Sequence, residues 1–412
     1  MQDPQLPATL RFMLAASRCE KQGLDALSRT CTLVTLLSNL VHAMQRERGF
    51  SNLYLGQPQP RLLATLDQIS DETRLCEQAV RGYLDQMDIE GADRARLCHR
   101  LAYMLHSLDD LPPLRRKVRD VNVTVVDSTE NFSRLIASLL AVVFEAADTA
   151  IDPQITRALV AMFNFMQCKE LSGQERACGA VGFSNGYFDP ARHEQMEHLR
   201  CSQLRCSEVF SQYADAAAQD RWEQIEADAG QLQQLRQMAR RTSAEQTVDP
   251  GLAELWFDLC SQRIDAMHSV EGLLADGLRQ LCQERLDRAA KELDNHRTLL
   301  SRLATRAADP QPLLFSVQGR SLDQASAEDP LQHSLLELLQ KQSRHMHRLS
   351  DELKSARSAL AERKTIEQAK RLLMSRFQLD EPAAHKHMQQ AAMNNGVRLI
   401  DMAERFLAQA QE

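Results

Sequence analysis

An all-α fold is predicted by three features of this sequence. The helix-forming residues Ala, Leu, Gln, Glu and Arg dominate, whereas aromatic residues make up only 5%. Glycine (15) and proline (13) are sparse, so helices can run far without interruption. Apolar residues recur at spacings of three and four, the period of one helical face. At 412 residues, the chain has room for two or three helical domains.

The N-terminal part predicts a helical bundle that is repeated. Helices are expected at about 24 to 48, 61 to 88, 92 to 109 and 114 to 150, with short turns between them. The apolar face of the first helix recurs later, because Leu37, Leu40, Val41, Met44 and Gln45 match Leu159, Met162, Phe163, Met166 and Gln167. Glu47-Arg48 then recurs as Glu175-Arg176. The sequence therefore predicts two related up-and-down bundles that share long helices.

The remainder of the chain divides into four segments. A single long helix is expected from residue 252 to about 304, because its apolar period continues without proline, and it completes a domain over 1–305. Prolines and acidic residues predict a linker over 306–332. A heptad pattern predicts a coiled-coil-like helix over 333–360, and a homodimer through 335–360 is one consequence. Residues 361–412 predict a small domain of three short helices.

Several function classes are excluded by what the sequence lacks. It has no signal peptide pattern and no apolar run of about 18 residues, so neither secretion nor a membrane partner is expected. Its ten cysteines are scattered without Cys-x-x-Cys, which favours thiols in a reducing cytoplasm and no metal site. No nucleophile-base pair and no Gly-rich phosphate loop is recognisable, so no catalytic residues and no cofactor are expected.

Arg48 is the first candidate for a binding residue. It follows Met44 by one helical turn on the apolar face, so its cation is expected to point into the bundle. A buried guanidinium is costly unless it meets a carboxylate or a ligand anion. From the spacing alone, an internal salt bridge is the favoured alternative.

The C-terminal domain is basic. Residues 341–412 carry a net charge of +4, whereas the other 340 residues carry −11. A basic end on an acidic body indicates a polyanion partner, although a solvated helical surface explains the same charges. Asp380 and Asn394-Asn395-Gly396 are expected to separate the three helices.

The residues of this domain resemble the ANTAR family of RNA-binding output modules. The resemblance lies in Arg363-x2-Ile366-x2-Ala369-Lys370-x2-Leu373-Met374, then Glu381-x-Ala383-Ala384, Ala391-Ala392-Met393-Asn394 and Arg398-Leu399-x3-Ala403. Arg371 stands where the family usually has glycine. The resemblance implies a hairpin in a leader mRNA as the partner, and the residues expected to meet RNA are Arg363, Lys364, Ala369, Lys370, Arg371, Met393 and Arg398. Phe377 and Phe406 are expected in the core.

The two arginine motifs resemble the NIT family of nitrate- and nitrite-sensing domains. They read Gln45-Arg46-Glu47-Arg48-Gly49-Phe50-Ser51 and Lys169-Glu170-Leu171-x-Gly173-x-Glu175-Arg176-Ala177. The resemblance implies nitrate or nitrite as the effector. A guanidinium offers a planar fork of donors that suits a flat oxyanion. Arg48 is therefore the expected primary ligand, with Arg176 or Arg236 as its partner.

The order of the two domains predicts the function. It is that of bacterial nitrate-responsive regulators that act by transcription antitermination in the cytoplasm. Anion binding to the sensor is expected to free or align the basic domain, which then binds the leader hairpin. A ligand-responsive DNA-binding transcription factor is the alternative, and a helical hydrolase is a weaker one.

Overall fold

A computed structural model of the chain describes residues 8–87, 95–306, 330–379, 381–395 and 397–409. These residues form thirteen α-helices, and no strand occurs among them. The helices are α1 (Ala8–Gly56), α2 (Pro60–Asp85), α3 (Ala95–Leu108), α4 (Leu111–Arg119), α5 (Val125–Thr149), α6 (Pro153–Ser184), α7 (Pro190–Tyr213), α8 (Ala216–Ala227), α9 (Gly230–Arg241), α10 (Leu252–Arg306), α11 (Pro330–Phe377), α12 (Glu381–Asn395) and α13 (Leu399–Ala408). The all-α prediction is confirmed.

Two groups of helices share one large core. α1 packs against α2 and α5, and α5 packs against α3; in the second group α6 packs against α7 and α10. The long helices α1 and α10 also pack against each other and join the groups. The inward side chains of α1, such as Leu33, Leu37 and Met44, are fully buried in this core. The predicted apolar face of the first helix is therefore the one that is buried.

The single helix predicted over 114–150 is wrong. α4 ends at Arg119 and α5 begins at Val125, and Val121 between them has a positive φ of 52°. Thr124 caps the new helix, because its side chain accepts a hydrogen bond from the Asp127 amide at 3.1 Å. An N-cap residue with a partner of this kind stabilises a helix start. No glycine or proline marks the break, so composition did not reveal it.

Most other predicted elements are confirmed, with shifted ends. α10 is the predicted long helix, and α12 and α13 begin and end close to the predicted residues. α1 is longer than expected at both ends. The coiled-coil-like segment and the first helix of the small domain form one helix, α11. Residues 307–329 of the predicted linker and the predicted cap Asp380 lie outside the described residues.

The small C-terminal domain has a core of its own. Alanine, methionine and leucine side chains from its three helices form it: Ala369, Leu373, Ala384, Met388, Ala392, Met402 and Ala403. Small side chains let the three helix axes approach closely. In the part of the chain that is described, no helix combines the length and apolarity needed to cross a membrane.

Candidate functional site

The two arginine motifs meet where α1 and α6 cross. Arg48 on α1 lies over Gly173 of α6, and Arg176 on α6 lies over Gly49 of α1. A Cβ atom at Gly49 would stand 2.5 Å from Nη2 of Arg176, and one at Gly173 would overlap the Arg48 guanidinium. Each glycine thus gives room to the arginine of the opposite helix. The contact is reciprocal although the glycines occupy different positions in the two motifs, since Gly49 follows Arg48 directly and Gly173 precedes Arg176 by three residues.

Arg48 is buried, as its position after Met44 predicted, with 1% of its surface exposed. Its Nη1 donates to Oε1 of Glu170 at 2.5 Å and to Oγ of Ser133 at 2.9 Å, and its Nη2 donates to Oε2 of Glu170 at 3.2 Å. Its Nε is buried and has no hydrogen-bond partner. A buried charged donor without an acceptor is costly, so this N–H is suited to donate a hydrogen bond to an oxygen atom of a ligand.

Glu170 is held by more donors than Arg48 alone. The side-chain amides of Gln45 and Gln174 donate to its two oxygens, each at 2.9 Å. A carboxylate that accepts several hydrogen bonds keeps its charge stabilised. Glu170 would therefore retain partners if the Arg48 guanidinium shifted toward another anion.

Arg176 is buried without a carboxylate in ion-pair distance among the described residues. Its guanidinium donates to Oγ of Ser261 at 2.8 Å and to the carbonyl of Gln45 at 2.9 Å, and it lies 4.8 Å from the centre of the Phe257 ring. Burial, together with the positive charge of Arg48, lowers the pKa of Arg176 to about 10. The protein therefore holds this cation at a cost in free energy.

The crossing carries an unbalanced positive charge. Arg48 and Arg176 bring two cations, and Glu170 is the one carboxylate that forms an ion pair with either of them in the described structure. Two like charges in a buried site of low dielectric constant repel each other strongly. A monovalent anion between them would neutralise the excess.

A pair of equivalent salt bridges supports the two motifs. Glu47 accepts from Nε and Nη2 of Arg115 at 2.6 and 2.9 Å, and Glu175 accepts from the same atoms of Arg236, both at 2.7 Å. All four side chains are buried. Arg115 was not among the predicted residues, because the chain gives no sign that residues 68 positions apart pair. Arg236, a predicted ligand, occupies in its half the place that Arg115 has in the other.

A second buried polar cluster lies around Lys169, about two turns before Arg176 on α6. Glu271 receives the ammonium of Lys169, the hydroxyl of Ser38 at 3.0 Å and Nδ1 of His268 at 2.9 Å. The rings of His268 and His42 stack with centroids 3.9 Å apart. Burial and the nearby cations, Lys169 first, lower the pKa of His42 to about 2, so this imidazole is neutral. The cluster joins α1, α6 and α10 next to the arginines.

Comparison with known proteins decides the family. Residues 39–279 match the family described as nitrate and nitrite sensing, NIT, and residues 354–407 match the ANTAR domain. The nitrate regulatory protein of Klebsiella oxytoca is 32% identical over 97% of this chain and 95% of that protein. The chain belongs to the NIT family. The resemblance drawn from the arginine motifs is thereby confirmed.

A solved structure agrees with both domains. The NasR transcription antiterminator superimposes with a TM-score of 0.60 at 29% identity, covering 98% of this chain and 100% of that one. The matched families are regulatory sensors and RNA-binding modules, not enzymes, as the sequence predicted. The NIT match contains all three candidate arginines, and the ANTAR match contains every predicted RNA contact.

A small cleft opens from the surface of the NIT domain toward Arg236. Its volume is about 30 Å³, and Glu175, Phe188, His193 and Arg240 are among the residues that line it. Arg240 is itself paired with Glu197 at the surface. The cleft therefore leads from solvent to the carboxylate that precedes Arg176 in the chain.

The predicted RNA contacts of the ANTAR domain differ in exposure. Arg371 is exposed, and Arg398 is 75% exposed while its guanidinium is paired with Asp401 at 2.9 Å. By contrast, Ala369 is fully buried in the domain core and Lys370 is only 6% exposed. Arg363 and Met393 lie within α11 and α12. Among the predicted contacts whose side chains are described, Arg371 and Arg398 are the exposed cations.

Lys364 lies at the contact between the two domains. Its Nζ is 3.6 Å from Oδ2 of Asp148 at the end of α5. Leu360, one turn before Lys364, is buried in the NIT core. Arg357, about two turns before Lys364, donates a hydrogen bond to the carbonyl of Ala150 at 3.0 Å. The first half of the ANTAR helix is therefore docked on the sensor.

The expectation that Phe377 lies in the core is wrong. Its side chain is 53% exposed at the end of α11, whereas Phe406 is half-buried. The domain core is formed by alanine, methionine and leucine side chains, and the Phe377 ring lies outside it.

Proposed function

We propose that this protein binds nitrate or nitrite between Arg48 and Arg176 and responds by binding a hairpin in a leader mRNA, which prevents transcription termination. The NIT and ANTAR matches are those of a nitrate-responsive antitermination regulator. Since its target is a nascent transcript, the protein would act in the cytoplasm. We also propose that the protein forms a homodimer through the helix at 335–360.

The observation that carries the proposal is the pair of buried guanidinium groups of Arg48 and Arg176, of which only Arg48 forms an ion pair with a carboxylate in the described structure. An excess of one positive charge suits a monovalent anion such as nitrate or nitrite. The free Nε of Arg48 and the carboxylate-free Arg176 provide donors from two sides. A planar guanidinium matches a planar oxyanion, and its weak hydration favours ligands that shed water easily.

Arg236 has a supporting part in this site. Its guanidinium is bound to Glu175, and Arg115 is bound to Glu47 in the same manner. Because each glutamate precedes a candidate ligand arginine, these salt bridges fix the turns of α1 and α6 that carry Arg48 and Arg176. We therefore assign anion binding to the latter two and positioning to Arg236 and Arg115.

Selectivity follows from the dryness of the crossing. Sulfate carries two charges and a tightly held hydration shell, so its transfer to a buried site is costly. The excess of one positive charge at the crossing would balance only one of the two negative charges of sulfate. Nitrate should therefore be preferred over sulfate by the balance of charge as well as by shape.

The coupling to the output domain runs through α6. This helix carries Arg176 in its last third, and it also packs against α11, which continues into the ANTAR domain. An anion that pulls Arg48 and Arg176 together would shift α1 against α6 and alter the surface on which Leu360 and Lys364 are docked. The effector acts through its different affinity for the docked and released arrangements.

A termination assay with purified components tests this function. A template with a leader hairpin and terminator is transcribed in the presence of the full protein with nitrate, nitrite, sulfate or no added anion. Readthrough should rise with nitrate or nitrite only. Readthrough that is independent of the anion would contradict the sensing step, and tighter binding to the matched duplex DNA than to the RNA would favour the alternative DNA-binding function.

A further inference from the structure

Three rings from three helices of the ANTAR domain are in contact, and the middle ring, His387, touches both phenylalanines. Phe377 ends α11, His387 lies in the middle of α12 and Phe406 lies near the end of α13. The Phe377 and His387 ring centroids are 5.7 Å apart with planes 26° from parallel, and the His387 and Phe406 centroids are 5.9 Å apart. These three residues form the aromatic ladder.

The ladder is open to solvent at one end. Phe377 is 53% exposed and His387 is also exposed, while Phe406 is half-buried and anchors the row in the domain core. An exposed phenylalanine side chain contributes little to the stability of the fold, because its apolar surface remains in contact with water. Its ring packs against the His387 ring, and its exposed part is the flat surface that the ladder presents to solvent.

Cations flank both ends of the ladder along the chain. Arg376 precedes Phe377, Arg405 precedes Phe406, and both are exposed. The domain as a whole has an excess of positive charge over the acidic sensor. Flat aromatic surface next to guanidinium groups suits unpaired nucleotides, whose bases stack while their phosphates are neutralised.

We infer that the aromatic ladder stacks an unpaired base of the RNA hairpin, with Phe377 as the terminal ring that meets the base. This inference rests on the proposed RNA function and names the group that reads the loop. It differs from the expectation that small residues such as Ala369 meet the loop bases, since the Ala369 side chain is fully buried. Duplex grooves hide base edges, so an unpaired loop base is the part of a hairpin that such a ring can reach.

The position of the ladder keeps it available in the docked arrangement. Phe377 follows Lys364, the residue at the sensor contact, by thirteen residues on the same helix. At the helical rise, this separation is about 20 Å. The ladder therefore lies away from the docked segment and can make a first contact with RNA before the domain is released.

Phe377→Leu tests the ladder, because leucine keeps apolar bulk at the helix end but has no flat π surface. Binding of the full protein with nitrate is measured by fluorescence anisotropy on a labelled hairpin with an all-adenosine loop. The same hairpin with abasic loop residues is the second probe. We expect Phe377→Leu to weaken binding to the adenosine loop by about tenfold to a hundredfold and to leave the abasic hairpin unchanged.

Three controls complete the experiment. Phe377→Trp should retain tight binding to the adenosine loop, and Phe12→Leu, at an exposed phenylalanine of the sensor, should change nothing. Arg376→Ala should weaken both hairpins and lower the salt dependence, as a phosphate contact does. Circular dichroism establishes that each variant folds.

The outcomes separate the two proposals. Equal affinity of the wild-type protein and Phe377→Leu for the adenosine loop would overturn the ladder and leave RNA binding intact. Equal weakening toward both hairpins would also overturn it, since the ring would then act through the fold or through phosphates. If sedimentation showed that Phe377→Leu alters self-association instead, the ladder would be a contact between copies. Failure of the wild-type protein to bind either hairpin would remove the RNA function itself.

Discussion

Replacement of Arg176 by methionine separates a ligand from a structural salt bridge. Methionine keeps an unbranched side chain and removes the charge. The lowered pKa of Arg176, about 10, corresponds to about 3 kcal/mol against the charged form. The lost hydrogen bonds to Ser261 and to the Gln45 carbonyl cost about 1 kcal/mol each. Without anion, Arg176→Met should thus be as stable as the wild-type protein or more stable by about 1 kcal/mol.

Arg236→Met is the matched control and should have the opposite effect. It leaves the buried carboxylate of Glu175 with Gln203 as its remaining donor. Loss of one partner of a buried salt bridge costs about 3–5 kcal/mol. The same substitution at two buried arginines therefore predicts opposite signs, because only one of them faces a carboxylate.

Calorimetric thermal scans with and without nitrate measure both effects. A hundredfold excess over the dissociation constant should stabilise the wild-type protein by about 2.7 kcal/mol, and Arg176→Met should lose this increment. If Arg176→Met were destabilised as much as Arg236→Met and were still stabilised by nitrate, the assignment of Arg176 as a ligand would be refuted.

Three further predictions follow from the contacts of the NIT domain. Gly173→Ala places a Cβ atom on the Arg48 guanidinium and should abolish nitrate binding, measured by calorimetry. Gly82→Ala is the control, because its Cβ atom would meet nothing within 4 Å. This variant should bind nitrate normally and be about 0.5–1 kcal/mol more stable than the wild-type protein. His42 has a pKa of about 2 in the folded protein and a higher pKa in the unfolded protein, so the unfolded state binds an extra proton as the pH falls. The free energy of unfolding should therefore decrease by about 1.4 kcal/mol per pH unit below about pH 6.5. His42→Phe keeps a ring stacked on His268 and should reduce this pH dependence in denaturation curves. Leu360→Ala removes a buried contact between the domains and should raise the affinity for RNA in the absence of nitrate, measured by fluorescence anisotropy. Asp148→Asn removes a partly exposed ion pair between the domains and should change this affinity little. Equal effects of the two substitutions would contradict a docking contact dominated by apolar burial.

Local patterns in the sequence were sufficient for most of the fold. The 3-and-4 spacing gave α10 and the helices of the ANTAR domain, and the apolar face before Arg48 correctly placed that arginine inside the bundle. The break between α4 and α5 was missed, because it depends on the backbone at Val121 and on the cap at Thr124. Neither leaves a strong signal in composition.

The partners of the arginines could not be predicted, because they are distant in the chain. Arg48 meets Glu170 across 122 residues, and Glu47 meets Arg115 across 68. The repeat of Glu-Arg marked both places, but it did not distinguish the arginine that is paired from the one that is not. The sequence also misplaced two residues of α11, since Ala369, expected to meet RNA, is buried in a core of small and flexible side chains, and Phe377, expected in that core, is exposed.

Titration of the intact protein with nitrate, in parallel with sulfate and chloride, is the most direct test of the arginine crossing. The wild-type protein should bind one nitrate per NIT domain with no heat of binding from sulfate, and both Arg48→Ala and Arg176→Met should lose the nitrate signal. Nitrate binding of wild-type strength in both variants would show that the anion is held elsewhere.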